Sequence, residues 1–105
     1  LHPRVYGTYP RLLVTYVAQR RVLTLPEAVY KITRRAADRF GLAKKGRIEV
    51  GADADLCLFA LENIHEKGTW DRPEQLAAGM DYVFVGGVPA IADGRFTGTR
   101  NGKAL

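Results

Sequence analysis

Two apolar runs meet at a pair of glycines: Tyr82-Val83-Phe84-Val85, then Gly86-Gly87, then Val88-Pro89-Ala90-Ile91. Aromatic and β-branched residues suit a pleated surface. Adjacent glycines supply the positive φ values of a tight primed turn, so the stretch predicts a β-hairpin. Pro89 has no N–H to give to a ladder, which makes the returning strand an edge at least at that residue. Asp93-Gly94 reads as the next turn. The Gly- and Thr-rich tail from Arg95 to Leu105 carries little independent drive to order.

Strand grammar begins at Gly46. Gly46-Arg47-Ile48-Glu49-Val50-Gly51 predicts a short extended piece between glycines. Asp53-Ala54-Asp55 then precedes Leu56-Cys57-Leu58-Phe59, a continuous apolar run expected of a strand covered on both faces. Cys57 is expected to be a small buried hydrophobe. Its sequence neighbours supply no cation to activate a thiolate, so it is not nominated as a nucleophile. Residues 64–80 are turn-rich, with His65, Gly68, Pro73 and Gly79 as breakers and Trp70 as an expected anchor to the core. His65 has no second His or Cys at metal spacing, which favours a surface or capping histidine.

Upstream of Gly46 the pattern is helical. Pro10 suits the first turn of a helix running to Arg20 or Arg21, with Leu12, Leu13, Tyr16 and Val17 on its apolar face. A second helix starts at Thr24-Leu25-Pro26-Glu27, where Thr24 and Glu27 form a capping box. Leu25, Ala28, Val29, Ile32 and Ala36 make its predicted core stripe. Gly41 follows Phe40 as the left-handed residue that ends it. Lys31, Arg34 and Arg35 fall on the outer face as a solvated basic surface.

With 105 residues the chain is one domain at most. The net charge of +5 is unevenly spread: the first fifty residues carry +8 and the rest −3. Such asymmetry suits nucleic acid, or a basic half that lies against a surface contributed by something else. A single cysteine excludes an internal disulfide and a Cys-rich zinc site. No apolar run approaches the ~20 residues of a membrane span. A reducing cytoplasm is the expected compartment. P-loop, dinucleotide fingerprint, nucleophile elbow and Ser-His-Asp logic are all missing. Beginning at Leu1 with neither Met nor a signal-like segment, the chain is expected to be a piece of something longer.

The stretch His2-Pro3-Arg4-Val5-Tyr6-Gly7-Thr8-Tyr9-Pro10-Arg11 is the one most suited to touching a substrate. Its prolines disfavour helix in the residues before them, and Gly7 lets the backbone turn. This predicts a proline-punctuated loop leading into a helix. Arg4 and Arg11 offer planar donor forks suited to carboxylate or phosphate.

Three passages carry a resemblance. Thr33 through Ala36, Phe40-Gly41-Leu42, Lys45-Gly46-Arg47-Ile48, Gly51 and Ala54-Asp55-Leu56 resemble the C-terminal passage of the amidohydrolase superfamily. Tyr82 to Val88, Asp93-Gly94 and Thr97-Gly98 resemble its closing hairpin. His2-Pro3-Arg4, Tyr6-Gly7-Thr8 and Pro10-Arg11 resemble the loop of the N-acyl-D-amino-acid deacylases, or D-aminoacylase group.

The resemblance implies an α+β fragment of a (β/α)8 enzyme with an attached small β-sandwich. Residues 1–45 would be the end of the barrel domain, comprising a substrate loop and two helices. Residues 46–105 would be the C-terminal part of the sandwich, with short strands and a hairpin. It further implies hydrolysis of a linear N-acyl-D-amino acid by zinc-activated water, with an aspartate as general base. Arg4 would bind the substrate carboxylate; no catalytic residue and no metal ligand falls in this chain. Zinc ligands and aspartate would lie upstream of Leu1, so the piece alone is expected to be inactive and to associate with copies of itself. Two rival readings stand beside this one. A basic, non-enzymatic nucleic-acid module would use Arg20, Arg21, Lys31, Arg34 and Arg35, and an amidohydrolase of a cyclic amide would lack a use for the His-Pro-Arg loop.

Overall fold

The computed structural model describes residues 4–65 and 78–105, with side chains from residue 8 onward. In chain order the α-helices are α1 (Arg4–Arg11), α2 (Leu25–Ile32) and α3 (Arg34–Arg39). Between α1 and α2 runs a π-helix, Leu12–Gln19. The strands are β1 (Leu56–Phe59), β2 (Met80–Val85), β3 (Val88–Ala92) and β4 (Arg95–Phe96), with a 3-10 turn at Leu61–Asn63. The chain groups into two compact units, Leu1–Ala28 with Phe59–Gly79 and Val29–Leu58 with Met80–Leu105.

In the first unit the helix starts at Arg4 and not at Pro10, so Gly7 and Pro10 are inside helical backbone. The predicted proline-punctuated loop is therefore helical across residues 4–11. Pro10 offers no N–H to the carbonyl four residues back, and from Leu12 the chain winds in the wider π form. A spacing of four residues still keeps Leu13 and Val17 on one side. Both are buried with Ala28, and Leu12, Leu23, Leu25, Phe59 and Leu61 pack around them. The helix ends as the Arg20 N–H donates to Thr15 O at 2.8 Å. Arg21 then takes φ 53°, a left-handed conformation uncommon for a non-glycine residue.

The capping box forms as expected. The Glu27 N–H donates to Thr24 Oγ1, and the Thr24 N–H donates to Glu27 Oε1, both at 3.3 Å. The predicted single helix is nevertheless two. Thr33 sits between them at φ −122° and ψ −87°, its hydroxyl donating to Val29 O at 2.6 Å. Such back-bonding from Thr competes with the helical ladder. Gly46 comes up against this break: a Cβ there would be 2.7 Å from Thr33 C and O. Ala28 and Ala37 are buried, whereas Val29 of the predicted stripe is exposed. At the far end Gly41 has φ 71°. The Leu42 N–H donates to Ala37 O at 2.8 Å and the Gly41 N–H to Asp38 O at 3.2 Å, the paired bonds of a Schellman motif.

The sheet order is β1-β2-β3-β4, with β2–β3 and β3–β4 antiparallel. Gly86 and Gly87 have φ 58° and 80°, as a primed hairpin turn requires. Val85 faces Val88 and Phe84 faces Pro89, but Val83 faces Ile91, so Ala90 forms a bulge. Within the sheet β4 pairs only with Ile91 and Ala92; Pro89 therefore lies at a local edge, as its missing donor demands. Asp93-Gly94 makes the next turn, with φ 50° and 76°. The tail is better tied than its composition suggests, because the Thr97 hydroxyl donates to Pro89 O at 2.7 Å and the Asn101 amide to Val85 O.

Two expectations for the middle of the chain are overturned. Residues 46–51 run through bends and a turn without forming a strand, and Ile48 and Val50 are 91% and 107% exposed. β1 forms, yet its faces are not both covered: Leu56, Leu58 and Cys57 are exposed. Continuous apolarity reports what a strand can tolerate against it, and the covering layer has to come from elsewhere. Trp70, Gly68 and Pro73 lie outside the described residues. The ends of that excursion meet in an antiparallel bridge between His65 and Ala78.

Candidate functional site

Residues 4–11 of the His-Pro-Arg stretch form α1. Its backbone is helical from Arg4, so Arg4 and Tyr6 are less than one helical turn apart along the axis. His2 and Pro3, and the side chains of Arg4 and Tyr6, lie outside the described residues. Tyr9 is 61% exposed and Arg11 half-buried. One turn beyond, the Arg20 guanidinium lies 5.9 Å from the Tyr16 ring centroid, within cation–π range.

The remaining candidates separate rather than converge. His65 is exposed, in keeping with a surface histidine. Cys57 is exposed where a buried thiol was expected, and partial desolvation pushes it above its ordinary value. A raised thiol is the wrong direction for a nucleophile. Among the described residues no three His, Cys, Asp or Glu side chains come together as a metal site. The described residues of this chain do not by themselves fit a catalytic zinc.

A charged knot in the second unit was not foreseen. Lys45 Nζ lies 2.5 Å from Asp55 Oδ2 and 3.1 Å from Asp53 Oδ2. Asp55 Oδ1 accepts the Gly86 N–H at 2.8 Å, and the Gly87 N–H donates to Ala54 O at 2.9 Å. The Lys45 ammonium and then the Gly86 N–H hold Asp55 below the usual carboxylate value. Hydrogen bonds to Asp55 and Asp53 raise Lys45 in turn. This knot positions backbone: it ties the loop after α3 to the hairpin turn. Its only signal in the sequence was a pair of aspartates just before a strand.

On α2 and α3 the predicted outer cations, Lys31, Arg34 and Arg35, are exposed. Arg34 Nε is 3.6 Å from Asp38 Oδ2, and Arg47 pairs with the other oxygen of Asp38. Residues 4–65 and 78–105 contain no helix long and apolar enough to cross a membrane.

Residues 2–91 match the Amidohydrolase family. D-aminoacylase of Alcaligenes xylosoxydans xylosoxydans is 38% identical over 104 residues, covering 99% of this chain and 22% of the relative. A D-aminoacylase crystal structure superposes with a TM-score of 0.86 at 38% identity, over 93% of this chain and 21% of that one. N-acyl-D-glutamate deacylase from Bordetella bronchiseptica, solved with zinc and a phosphonate mimic of the tetrahedral intermediate, gives 0.82 at 37% identity, over 90% and 21%. The chain thus spans about a fifth of the length of these relatives. With the match running through the helices, β1 and the hairpin, the chain belongs to the amidohydrolase family.

Proposed function

We propose that the chain is the C-terminal portion of a metal-dependent amidohydrolase that cleaves the amide of N-acyl-D-amino acids. The observation that carries this reading is the 38% identity to D-aminoacylase across 99% of the chain. In the parent, residues 1–45 close the barrel domain and residues 46–105 belong to the β-sandwich. The rest of the parent would hold a zinc like that of the related deacylase structure, and the metal would supply activation of the attacking water. Arg4 binds the substrate's α-carboxylate. A guanidinium fork makes two parallel charge-assisted bonds to a carboxylate, and fixing that end orients the amide for attack. Without the other four-fifths the chain is inactive, and its exposed Ile48, Val50, Leu58 and Phe96 draw copies together.

The test is made in the full-length parent. Arg4→Ala is expected to lower kcat/KM for an N-acetyl-D-amino acid about 100-fold, as loss of a bond between charged partners predicts. Arg4→Lys should recover part of it. A substrate whose carboxylate is replaced by a carboxamide should be cleaved equally poorly by parent and variant. If Arg4→Ala leaves kcat/KM unchanged, the assignment of Arg4 is wrong; turnover by the 105-residue chain with zinc would refute the inactive-piece reading.

A further inference from the structure

We propose that the loop tip from Ile48 to Val50 is a docking contact inside the parent, received by an apolar recess on the same polypeptide in the portion outside these 105 residues. The inference rests on the reading of the chain as part of a longer parent, and not on the reaction that the parent catalyses.

Val50 and Ile48 are the two most exposed large apolar side chains among the described residues. Single apolar residues on a surface are ordinary. Two on one tip are not, when the loop beneath them is held as firmly as this one. Gly46 approaches Thr33 so closely that a Cβ would meet its backbone at 2.7 Å. The Arg47 side chain is only 12% exposed; it pairs with Asp38 and donates from Nε to Lys45 O at 3.0 Å. On the returning side the Asp53 N–H donates to Lys44 O at 2.9 Å, and Lys45 Nζ holds the carboxylates of Asp53 and Asp55. The tip itself turns through Gly51 at φ 91°, with the Ala52 N–H donating to Glu49 O at 3.1 Å. Polar bonds therefore fix both stems and leave two β-branched side chains outward. A contact surface ordered in advance loses little freedom on being covered.

The occupant follows from size and charge. This chain covers 22% of the D-aminoacylase sequence and 21% of the D-aminoacylase crystal structure, so most of such a parent is available to cover the tip. A stable interface between separate molecules takes about 20–30 residues a side, and the tip supplies two. Contact within one polypeptide does not need that area, because linked parts meet at an effective concentration of about millimolar. Ile48-Glu49-Val50 carries an acid and no cation, which disfavours nucleic acid and an anionic membrane surface.

Maleimide labelling of Ile48→Cys in the full-length parent, read at that peptide by mass spectrometry, tests this. The folded parent should label at least about tenfold more slowly than the parent unfolded in urea, as burial of the site requires. Ile48→Asp should lower the urea midpoint of the parent, and Ile48→Leu should restore it, since the recess asks for apolar surface and not for one shape. If either variant fails to fold, labelling of Val50→Cys answers the same question. Equal labelling of folded and unfolded parent overturns the proposal, as does an unchanged midpoint in Ile48→Asp. Protection that disappears on dilution also overturns it, in favour of a second copy. Hydrolysis of an N-acetyl-D-amino acid by the same preparation keeps the two readings apart. An accessible thiol in an active parent sinks the docking contact alone, and a protected one in a parent without that activity supports the contact while refuting the deacylase reading.

Discussion

The two helical stretches of this chain obey local rules to very different degrees. From Thr24 to Leu42 both outer ends have their expected chemistry, although the helix breaks at Thr33 between them: a reciprocal capping box at one end and a glycine with φ 71° closing a Schellman motif at the other. From Arg4 to Arg21 the rules are broken. Glycine and proline are inside the helix, the backbone winds in the π form, and an arginine takes the left-handed closing position. Exceptions of this kind concentrate where a chain is held for a purpose other than stability. The irregular stretch is the one that carries Arg4, which fits the substrate-binding role proposed for it.

The largest expected effect probes how the regular stretch is supported. Gly41 and Gly46 share a φ of 71°, yet a Cβ on Gly41 meets nothing within 4 Å while one on Gly46 runs into Thr33 and Arg34 backbone. Gly41→Ala should cost about 1–2 kcal/mol, the left-handed penalty alone. Gly46→Ala adds a clash with backbone that cannot move aside, for a total of about 2–4 kcal/mol. Urea midpoints of the two variants decide the matter, and equal losses would show that the helix break at Thr33 tolerates displacement.

Next in size are two substitutions of opposite sign, one in each stretch. Thr24→Ala removes the cap from the regular helix and should destabilise by ~1 kcal/mol. Arg21→Gly relieves the strained end of the irregular one and should stabilise by up to about 1 kcal/mol, less the added freedom of the unfolded chain. Thermal melts of both variants measure the contrast. A destabilising Arg21→Gly would mean that the arginine side chain does more for the fold than its backbone takes away.

The smallest effect is electrostatic and belongs to the loop that follows the regular stretch. Asp55 is held below its ordinary value of 3.8 by Lys45 and the Gly86 N–H. A group lowered in this way contributes stability above its unfolded value, and the contribution fades as pH falls through the folded one. Lys45, raised above 10.5, contributes below that value and loses its contribution as pH rises through its folded one. Between these limits the knot should be insensitive to pH. Hydrogen exchange at the Gly86 amide, extrapolated to a common intrinsic rate, should show protection falling below about pH 4. In Asp55→Asn that acid dependence should vanish. Acid-sensitive protection persisting in Asp55→Asn would assign it to another carboxylate.

Legibility in the sequence followed the range of the interaction. The Thr24–Glu27 box, the Gly41 stop and the Gly86-Gly87 and Asp93-Gly94 turns were readable because each is settled within about six residues, by φ preference or by a bond between near neighbours. Pro89 at a local edge was readable because its missing N–H travels with the residue. The motif around Arg4 pointed to the family, though nothing in its composition revealed that residues 4–11 would be helical.

What the sequence determined by itself is thus a set of local stops, starts and turns, together with membership of the amidohydrolase family through its motifs. Tertiary structure helped decide where α2 gives way to α3, because the back-bonded Thr33 is also met by Gly46 from thirteen residues away. It also decided the bulge at Ala90, the tie from Asp55 to Gly86, and the exposure of Leu56, Cys57 and Leu58. An apolar residue announces that it prefers to be covered, and only the packed chain says whether anything is there to cover it.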